Sequence, residues 1–194
     1  WASGKLFIDQ QNPYDLDLLI STQAEIGAAF PSEISIRPQT LNPPWVLLIF
    51  APFSLLDYSI ARVAWLLVNI ILIVISVRIF WNLLPGSTTK FILVLLIAFS
   101  FTPTYSVLSK GQITPWILFG IAGFMLYVEG KISVWWAGIC LVIISTKPQL
   151  FYLLWIILAL WVIIKHKWKI LISTLCITGA AFLITWLINN QVFS

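Results

Sequence analysis

The sequence predicts an all-α, polytopic membrane protein. Hydrophobic residues make up 60% of the 194 residues and charged residues only 9%, whereas soluble domains carry about 25% charged residues. The mean hydropathy of +0.99 agrees with this composition. Apolar runs recur from residue 58 to the end of the sequence. A helix satisfies its own backbone hydrogen bonds in hydrocarbon, so these runs predict a bundle of about six spanning helices over 58–194.

Residues 1–57 differ from the rest and are predicted to form an extracytoplasmic loop with juxtamembrane helices. Five of the seven acidic residues lie before residue 34. Asn12 and Pro13 predict a turn, and Asp15 can cap an amphipathic helix that starts at Leu16. Further along, "NPPWVLLIFAPFSLLD" has too few apolar residues to cross about 30 Å of hydrocarbon. Residues 43–55 are therefore predicted to be a juxtamembrane or re-entrant helix, bent at Pro52.

Six apolar segments follow as candidate spans. The third, fourth and fifth are short against the ~20 residues that a perpendicular spanning helix needs. Such short helices can end in a wet cavity lined by protein. The candidate spans are 58–82, 90–108, 113–128, 132–146, 149–164 and 168–188.

The distribution of cations predicts the orientation, because cytoplasmic loops collect Lys and Arg. The links after segments two and four hold only Lys110 and Lys147. The other links are predicted to be cytoplasmic, which places residues 1–57 outside a cell (inner) membrane that the chain crosses several times. The cations of those other links are Arg78, Lys90, Lys131, Lys165, Lys167 and Lys169.

Lys147, in "STKPQL", is the first candidate for a functional residue, since neither apolar flank holds a charge. Lys110, Gln112 and Arg37 belong to the same predicted side. A cation at membrane depth is costly without a partner, and an anion such as phosphate suits several cations. The open alternatives are an interfacial anchor for Lys147 or Lys110, a helix-end hydrogen bond for Gln112, and an ion pair of Arg37 with Glu33 or Asp57.

The sequence also excludes some classes of site. Cys140 and Cys176 both lie in apolar runs, and without a CxxC or Cys/His cluster they predict no metal site. The net charge of +4 forms no basic stripe with interleaved aromatic residues, so no nucleic-acid partner is expected. His166, within "KHKWK", is predicted to be a solvated loop residue.

The chain resembles glycosyltransferase family 87, of the GT-C superfamily. The resemblance rests on "WASGKLFIDQQNPYD", on "NPPWVLLIFAPFSLLDYSIARVAW" and on "GQITPWILFGIAGFMLYVEGKISVWWAGICLVIISTKPQL" with its "VEGK" turn. These stretches span residues 1 to about 155, in the order that the family shows. The first begins after the family's aspartate motif, so the sequence is expected to be part of a longer chain.

The resemblance implies a GT-C-like fold and an inverting transfer of a hexose, mannose, from a polyprenyl-phosphate donor to an acceptor hydroxyl outside the membrane. The general base would be an aspartate upstream of Trp1. Asn12, Tyr14 and Asp15 would form the loop motif, with Asp15 favoured as a helix cap rather than a base. No cofactor is predicted. The donor would carry its own lipid anchor, so no nucleotide-binding Gly-rich loop is needed, and the sequence shows none. The implied phosphate contacts are Lys147, Arg37, Gln112 and Lys110.

The implied partners are membrane lipid, the lipid-linked sugar and an acceptor glycan, glycolipid or protein. Two other functions remain open. A transporter of an anionic lipid or solute would also use outward-facing cations and broken helices. An inverted internal repeat in the sequence would favour this function. A non-catalytic subunit that packs beside other membrane proteins is the third reading, and an upstream sequence without the aspartate would favour it.

Overall fold

The computed structural model describes residues 1–27, 42–84, 90–150 and 152–193. All regular elements within these ranges are helical, which confirms the predicted all-α class. Short 3-10 turns occur at Pro44–Val46, Pro148–Leu150 and Asn190–Phe193. The α-helices are α1 (Ala2–Ile8), α2 (Leu16–Glu25), α3 (Leu47–Ser54), α4 (Tyr58–Leu83), α5 (Phe91–Ser100), α6 (Thr102–Ser109), α7 (Thr114–Val128), α8 (Val134–Ile144), α9 (Tyr152–Ile164) and α10 (Trp168–Ile188).

Every predicted span falls on helix, but the count of about six spans is not confirmed. Among the residues that the structure describes, α4 and α10 are long and apolar enough to cross a membrane. The pair α5 and α6 would be a third span if its two parts count as one. Helices α7, α8 and α9 are apolar but have only 10–17 residues. The structure therefore offers two or three candidate spans.

The predicted segment 90–108 is broken rather than continuous. Helices α5 and α6 meet at an angle of 66°. Phe101 joins them with extended backbone, at φ −70° and ψ 118°. Pro103 lies in the first turn of α6, where its missing N–H costs no helical hydrogen bond, whereas the interior of a longer helix would lose one. The proline therefore starts a new helix instead of continuing α5.

The chain divides into two compact units, one of residues 1–64 with 178–194 and one of residues 65–177. In the first unit, Phe7, Leu47 and Val192 form a buried cluster. Helix α3 continues the turn at Pro44, so the helical state predicted for 43–55 is confirmed. Its juxtamembrane or re-entrant position and its bend at Pro52 stay predictions. The division at residue 57 into an outer loop and a membrane bundle stays a prediction.

The second unit is built around an antiparallel hairpin of α7 and α8. Glycines on α7 allow the two helices to approach closely. A Cβ atom on Gly120 would lie 2.9 Å from the carbonyl oxygen of Cys140, and one on Gly123 would lie 2.5 Å from its sulfur. Ile117 and Ile144 bury their side chains in the core that the hairpin forms. This packing fixes which residues of α7 lie opposite which residues of α8.

Candidate functional site

The "KGQ" link between α6 and α7 is held by a Schellman motif. The N–H of Gln112 donates to the carbonyl oxygen of Val107 at 3.0 Å, and the N–H of Gly111 donates to that of Leu108 at 3.1 Å. Gly111 adopts φ +60°, a left-handed conformation that glycine tolerates best. The glycine therefore ends α6 sharply and fixes Gln112 at the entrance to α7.

Trp65 of α4 secures this link from a second direction. Its indole Nε1–H donates to the carbonyl oxygen of Gly111 at 2.9 Å. Its ring stacks on Trp116 of α7, with the ring centroids 5.9 Å apart and the planes 20° from parallel. The position of Gln112 is thus set both by the end of α6 and by α4.

Lys147 lies in the bend between α8 and the 3-10 turn at Pro148–Leu150. Its side chain is half-buried, and it makes no hydrogen bond or ion pair with any residue that the structure describes. Thr146 beside it is fully buried, with 0% of its surface exposed. The cation is therefore partly removed from water without a counter-charge from the described chain.

The hairpin brings Gln112 and Lys147 to the same end. Gly120 lies against Cys140 and Ile144, and this contact fixes the position of α7 relative to α8 along their common axis. Gln112 precedes this contact, just before α7 begins, and Lys147 follows it, just after α8 ends, and the two helices run in opposite directions. At 1.5 Å per residue, both lie within roughly 12 Å of the contact along the hairpin axis, on the same side of it. We call this end of the second unit the GQ–TK end.

Six buried side-chain atoms of the described residues lack a hydrogen-bond partner, and four of them belong to the second unit; the other two are Gln23 Oε1 and Trp45 Nε1 of the first unit. No described residue makes a hydrogen bond with the Oγ1 atom of Thr146, the Nε1 atom of Trp116 or either amide atom of Asn69. Trp116 lies one turn before Gly120 and therefore belongs to the GQ–TK end with Thr146. Asn69 is 1% exposed and follows Trp65 by one turn of α4, on the same helix face.

These unpaired atoms are the strongest indication of a binding site. A buried donor or acceptor without a partner costs about 1–3 kcal/mol. A polar ligand can supply the partners that such atoms lack, and Thr146 directly precedes the unpaired Lys147. The set contains a cation, an indole N–H, an amide and a hydroxyl, which are groups that donate hydrogen bonds to anions.

The other predicted site residues are placed as follows. Lys110 is exposed in the "KGQ" link, and Gln112 is half-buried with its Oε1 atom 3.4 Å from the hydroxyl of Thr114. Arg37 lies outside the described residues. The binding roles of Lys147, Gln112, Lys110 and Arg37 stay predictions.

The "NPYD" motif belongs to the first unit and has local structural roles there. Asp15 accepts hydrogen bonds from the N–H groups of Asp17 and Leu18 at 2.9 and 3.2 Å, so its predicted cap is confirmed. Asn12 accepts one from the N–H of Tyr14 at 2.9 Å. The Tyr14 hydroxyl donates to the carbonyl oxygen of Asn42 at 2.8 Å, and burial raises the pKa of Tyr14 to about 12. That hydroxyl therefore keeps its proton at neutral pH.

Sequence reasoning did not identify Asn69, Trp116 or Thr146. Asn69 carried a usable signal, because it is an amide within a long apolar run. Trp116 is one of eleven tryptophans, a number that suits interfacial belts, and Thr146 stands beside Lys147 without a pattern of its own. No cluster of three or more metal-ligating side chains occurs among the described residues.

The profile of glycosyltransferase family 87 matches residues 41–193 of this chain. No curated protein and no solved structure matches it. The matched range includes the "NPPW" stretch and the whole block from "GQ" to "KPQL", hence the GQ–TK end. A match over most of the chain shows that this protein belongs to glycosyltransferase family 87, a family of membrane glycosyltransferases.

Proposed function

We propose that the protein transfers a hexose, mannose, from a polyprenyl-phosphate donor to an acceptor hydroxyl on the outer face of the membrane. The family supports glycosyl transfer in a membrane. The observation that carries the choice of donor is the half-buried, unpaired Lys147 at the GQ–TK end. A lipid-linked sugar phosphate supplies the anion that such a lysine lacks, and its tail suits an apolar helical protein.

The proposed chemistry is a displacement with inversion at the anomeric carbon. The acceptor oxygen forms a bond to that carbon as the bond from the carbon to the phosphate oxygen breaks. The electron pair of the broken bond stays on polyprenyl phosphate, and the acceptor proton passes to a base. We place that base in an aspartate upstream of Trp1, as the family resemblance implies.

The residues of the GQ–TK end would act on the leaving group. Negative charge grows on the phosphate as the sugar departs, and a fixed cation lowers the energy of that state more than the energy of the bound donor. Lys147 would supply this cation. Gln112 and the Trp116 Nε1–H would donate hydrogen bonds to the remaining phosphate oxygens, and Lys110 would add positive charge. The phosphate contact predicted for Arg37 lies outside the described residues.

The proposed orientation follows from this assignment. The donor phosphate, residues 1–57 and the GQ–TK end would face the outside of the cell (inner) membrane. The links with Lys131 and Lys165 would face the cytoplasm, in agreement with the excess of cations there.

The test uses the full-length protein in nanodiscs with a labelled polyprenyl-phosphate mannose. Donor binding and sugar release are measured for the wild type, Lys147→Met and Lys147→Arg. The matched control is Lys131→Met, since Lys131 is exposed in the turn at the other end of the same hairpin. We expect Lys147→Met to weaken donor binding and to lower the rate of sugar release further, with partial rescue by Lys147→Arg. Lys131→Met should do neither.

The outcomes separate the proposed activity from its alternatives. A wild type that does not bind the donor would refute the transferase. Donor binding and movement across the bilayer without release of sugar would indicate a transporter. A full-length chain that lacks the upstream aspartate and binds no donor would indicate a non-catalytic subunit.

A further inference from the structure

The short turn between α9 and α10 carries a dense positive charge. It consists of Lys165, His166 and Lys167, and Lys169 follows in the first turn of α10. All four side chains are exposed. Helix α10 is a candidate membrane span, so this charge lies where a span begins.

Backbone hydrogen bonds fix the conformation of this turn, whose lysine side chains are exposed. The N–H of Lys167 donates to the carbonyl oxygen of Val162 at 3.0 Å, and that of His166 donates to Ile163 at 3.3 Å. These bonds form a Schellman motif, with His166 in the left-handed position at φ +51°. A histidine there costs more than a glycine would.

A fourth lysine lies at the same end of the second unit. The hydroxyl of Ser173 in α10 donates to the carbonyl oxygen of Val134 in α8 at 3.0 Å. The rings of Phe124 and Trp161 meet edge to face, with centroids 6.1 Å apart. These contacts bring the turn between α7 and α8, which holds Lys131, to the level of the turn between α9 and α10. We call Lys131, Lys165, Lys167 and Lys169 the basic rim.

Charges of the described chain do not neutralise the basic rim. None of its lysines forms an ion pair with a described residue. Glu129 is exposed in the same turn as Lys131, and it leaves the rim with a net positive charge. The rim therefore keeps its charge for an external anion.

Exposed tryptophans accompany the basic rim. Trp135 and Trp136 at the start of α8 are 56% and 62% exposed, and Trp168 at the start of α10 is 48% exposed. Tryptophan prefers the headgroup level of a bilayer. A simple solvated loop needs no exposed tryptophans. Here the lysines complement the negative charge of lipid headgroups, and the tryptophans favour the depth at which the headgroups lie.

We propose that the basic rim is a binding surface for anionic phospholipid headgroups, separate from the donor site. The lysines hold the lipid phosphate, and the adjacent tryptophans lie beside the glycerol and upper acyl region. A juxtamembrane lysine contributes about fivefold to the affinity for an anionic surface. Several lysines at one rim thus select anionic over zwitterionic lipid. This surface is independent of sugar transfer.

The test titrates phosphatidylglycerol or phosphatidylcholine into the full-length protein in a neutral detergent and counts bound lipids by native mass spectrometry. The variant replaces Lys165, Lys167 and Lys169 with Gln, and its matched control replaces them with Arg. Arg62→Gln, which removes one exposed cation elsewhere, is the control for the loss of a single cation outside the rim. Thermal unfolding of each variant checks that it is folded.

We expect the wild type to bind phosphatidylglycerol at least tenfold more tightly than phosphatidylcholine. The Gln variant should lose most of this preference, while the Arg variant and Arg62→Gln keep it. Equal affinity of the wild type for both lipids would refute the proposal, as would a Gln variant that retains the preference. Displacement of phosphatidylglycerol by inorganic phosphate at constant ionic strength would show a site for a soluble anion and would overturn the lipid assignment.

Discussion

The side-chain amide of Asn189 donates a hydrogen bond to the carbonyl oxygen of Phe7 at 3.0 Å, although 182 residues separate the two. The same Nδ2 group donates to Gln11 at 2.8 Å, and the Oδ1 atom accepts from the N–H of Gln191 at 2.9 Å. Gln10 adds a hydrogen bond from its side-chain amide to the carbonyl oxygen of Ile188. Asn189 is 0% exposed, so a buried and fully paired amide connects the end of α10 to the end of α1.

Replacement of Asn189 by Leu should destabilise the first unit. The substitution leaves buried carbonyl groups without a donor, which costs about 1–3 kcal/mol. Thermal unfolding in detergent should show a melting temperature lower by several degrees. Asn190→Leu is the matched control, because Asn190 is the next residue and is exposed. Equal effects of the two substitutions would show that the paired amide contributes nothing special.

Asn69→Leu should have the opposite effect on stability. Asn69 is as buried as Asn189, but both of its amide atoms lack a partner in the described chain. Removal of an unpaired buried amide is neutral or stabilising. We expect an unchanged or higher melting temperature together with weaker donor binding. A loss of stability comparable to that of Asn189→Leu would contradict the assignment of Asn69 to a ligand site.

Gly111→Ala and Gly130→Ala form a pair that separates stability from function. Both glycines have positive φ, +60° and +72°, and both follow a helix end. An alanine in this conformation costs about 1–2 kcal/mol at either position. Only Gly111 precedes Gln112 and is held by Trp65. We expect both substitutions to lower the melting temperature by similar amounts, but only Gly111→Ala to weaken donor binding. Equal donor binding by the two variants would contradict the assigned site.

Gly120→Ala should weaken the hairpin of α7 and α8, whereas Gly179→Ala should not. A Cβ atom on Gly120 would meet the backbone carbonyl of Cys140 at 2.9 Å, and backbone cannot move aside as a flexible side chain can. Overpacking of this kind costs about 1–3 kcal/mol. Gly179 has no described atom within 4 Å of the added Cβ, and alanine favours helix. Melting temperatures measure the difference, and equal values would argue against close packing at Gly120.

The helices and local caps of this protein could be predicted from the sequence because they depend on neighbouring residues. Asp15 caps α2 through its own first turn, and Asn12 forms its turn within two residues. The apolar runs gave the positions of the helices. The break at Phe101 was missed because composition outweighed the single signal of Pro103. The count of about six spans stays a prediction, since apolar character shows that a helix avoids water but not that it crosses a membrane.

The site could be predicted only in part. Lys147 and Gln112 could be singled out because a polar residue in an apolar context stands out locally, and their binding roles stay predictions. The unpaired state of Thr146 and Trp116 depends on which atoms pack around them, and no short pattern encodes it. The glycines show the same limit, since Gly120 and Gly179 both lie in apolar helices yet only Gly120 faces a neighbouring backbone.

The discontinuous make-up of the first unit determines the order in which the protein can mature. Residues 1–64 share their core with residues 178–194, and Phe7 and Leu47 meet Val192 there. During synthesis at about 5–20 residues per second, the intervening segment delays this meeting by on the order of ten seconds. Until residues 178–194 have been synthesised, the faces of α1 and α3 that carry Phe7 and Leu47 lack the contact with Val192. An insertase or chaperone that shields these faces would therefore act on residues 1–64 until residues 178–194 have been synthesised.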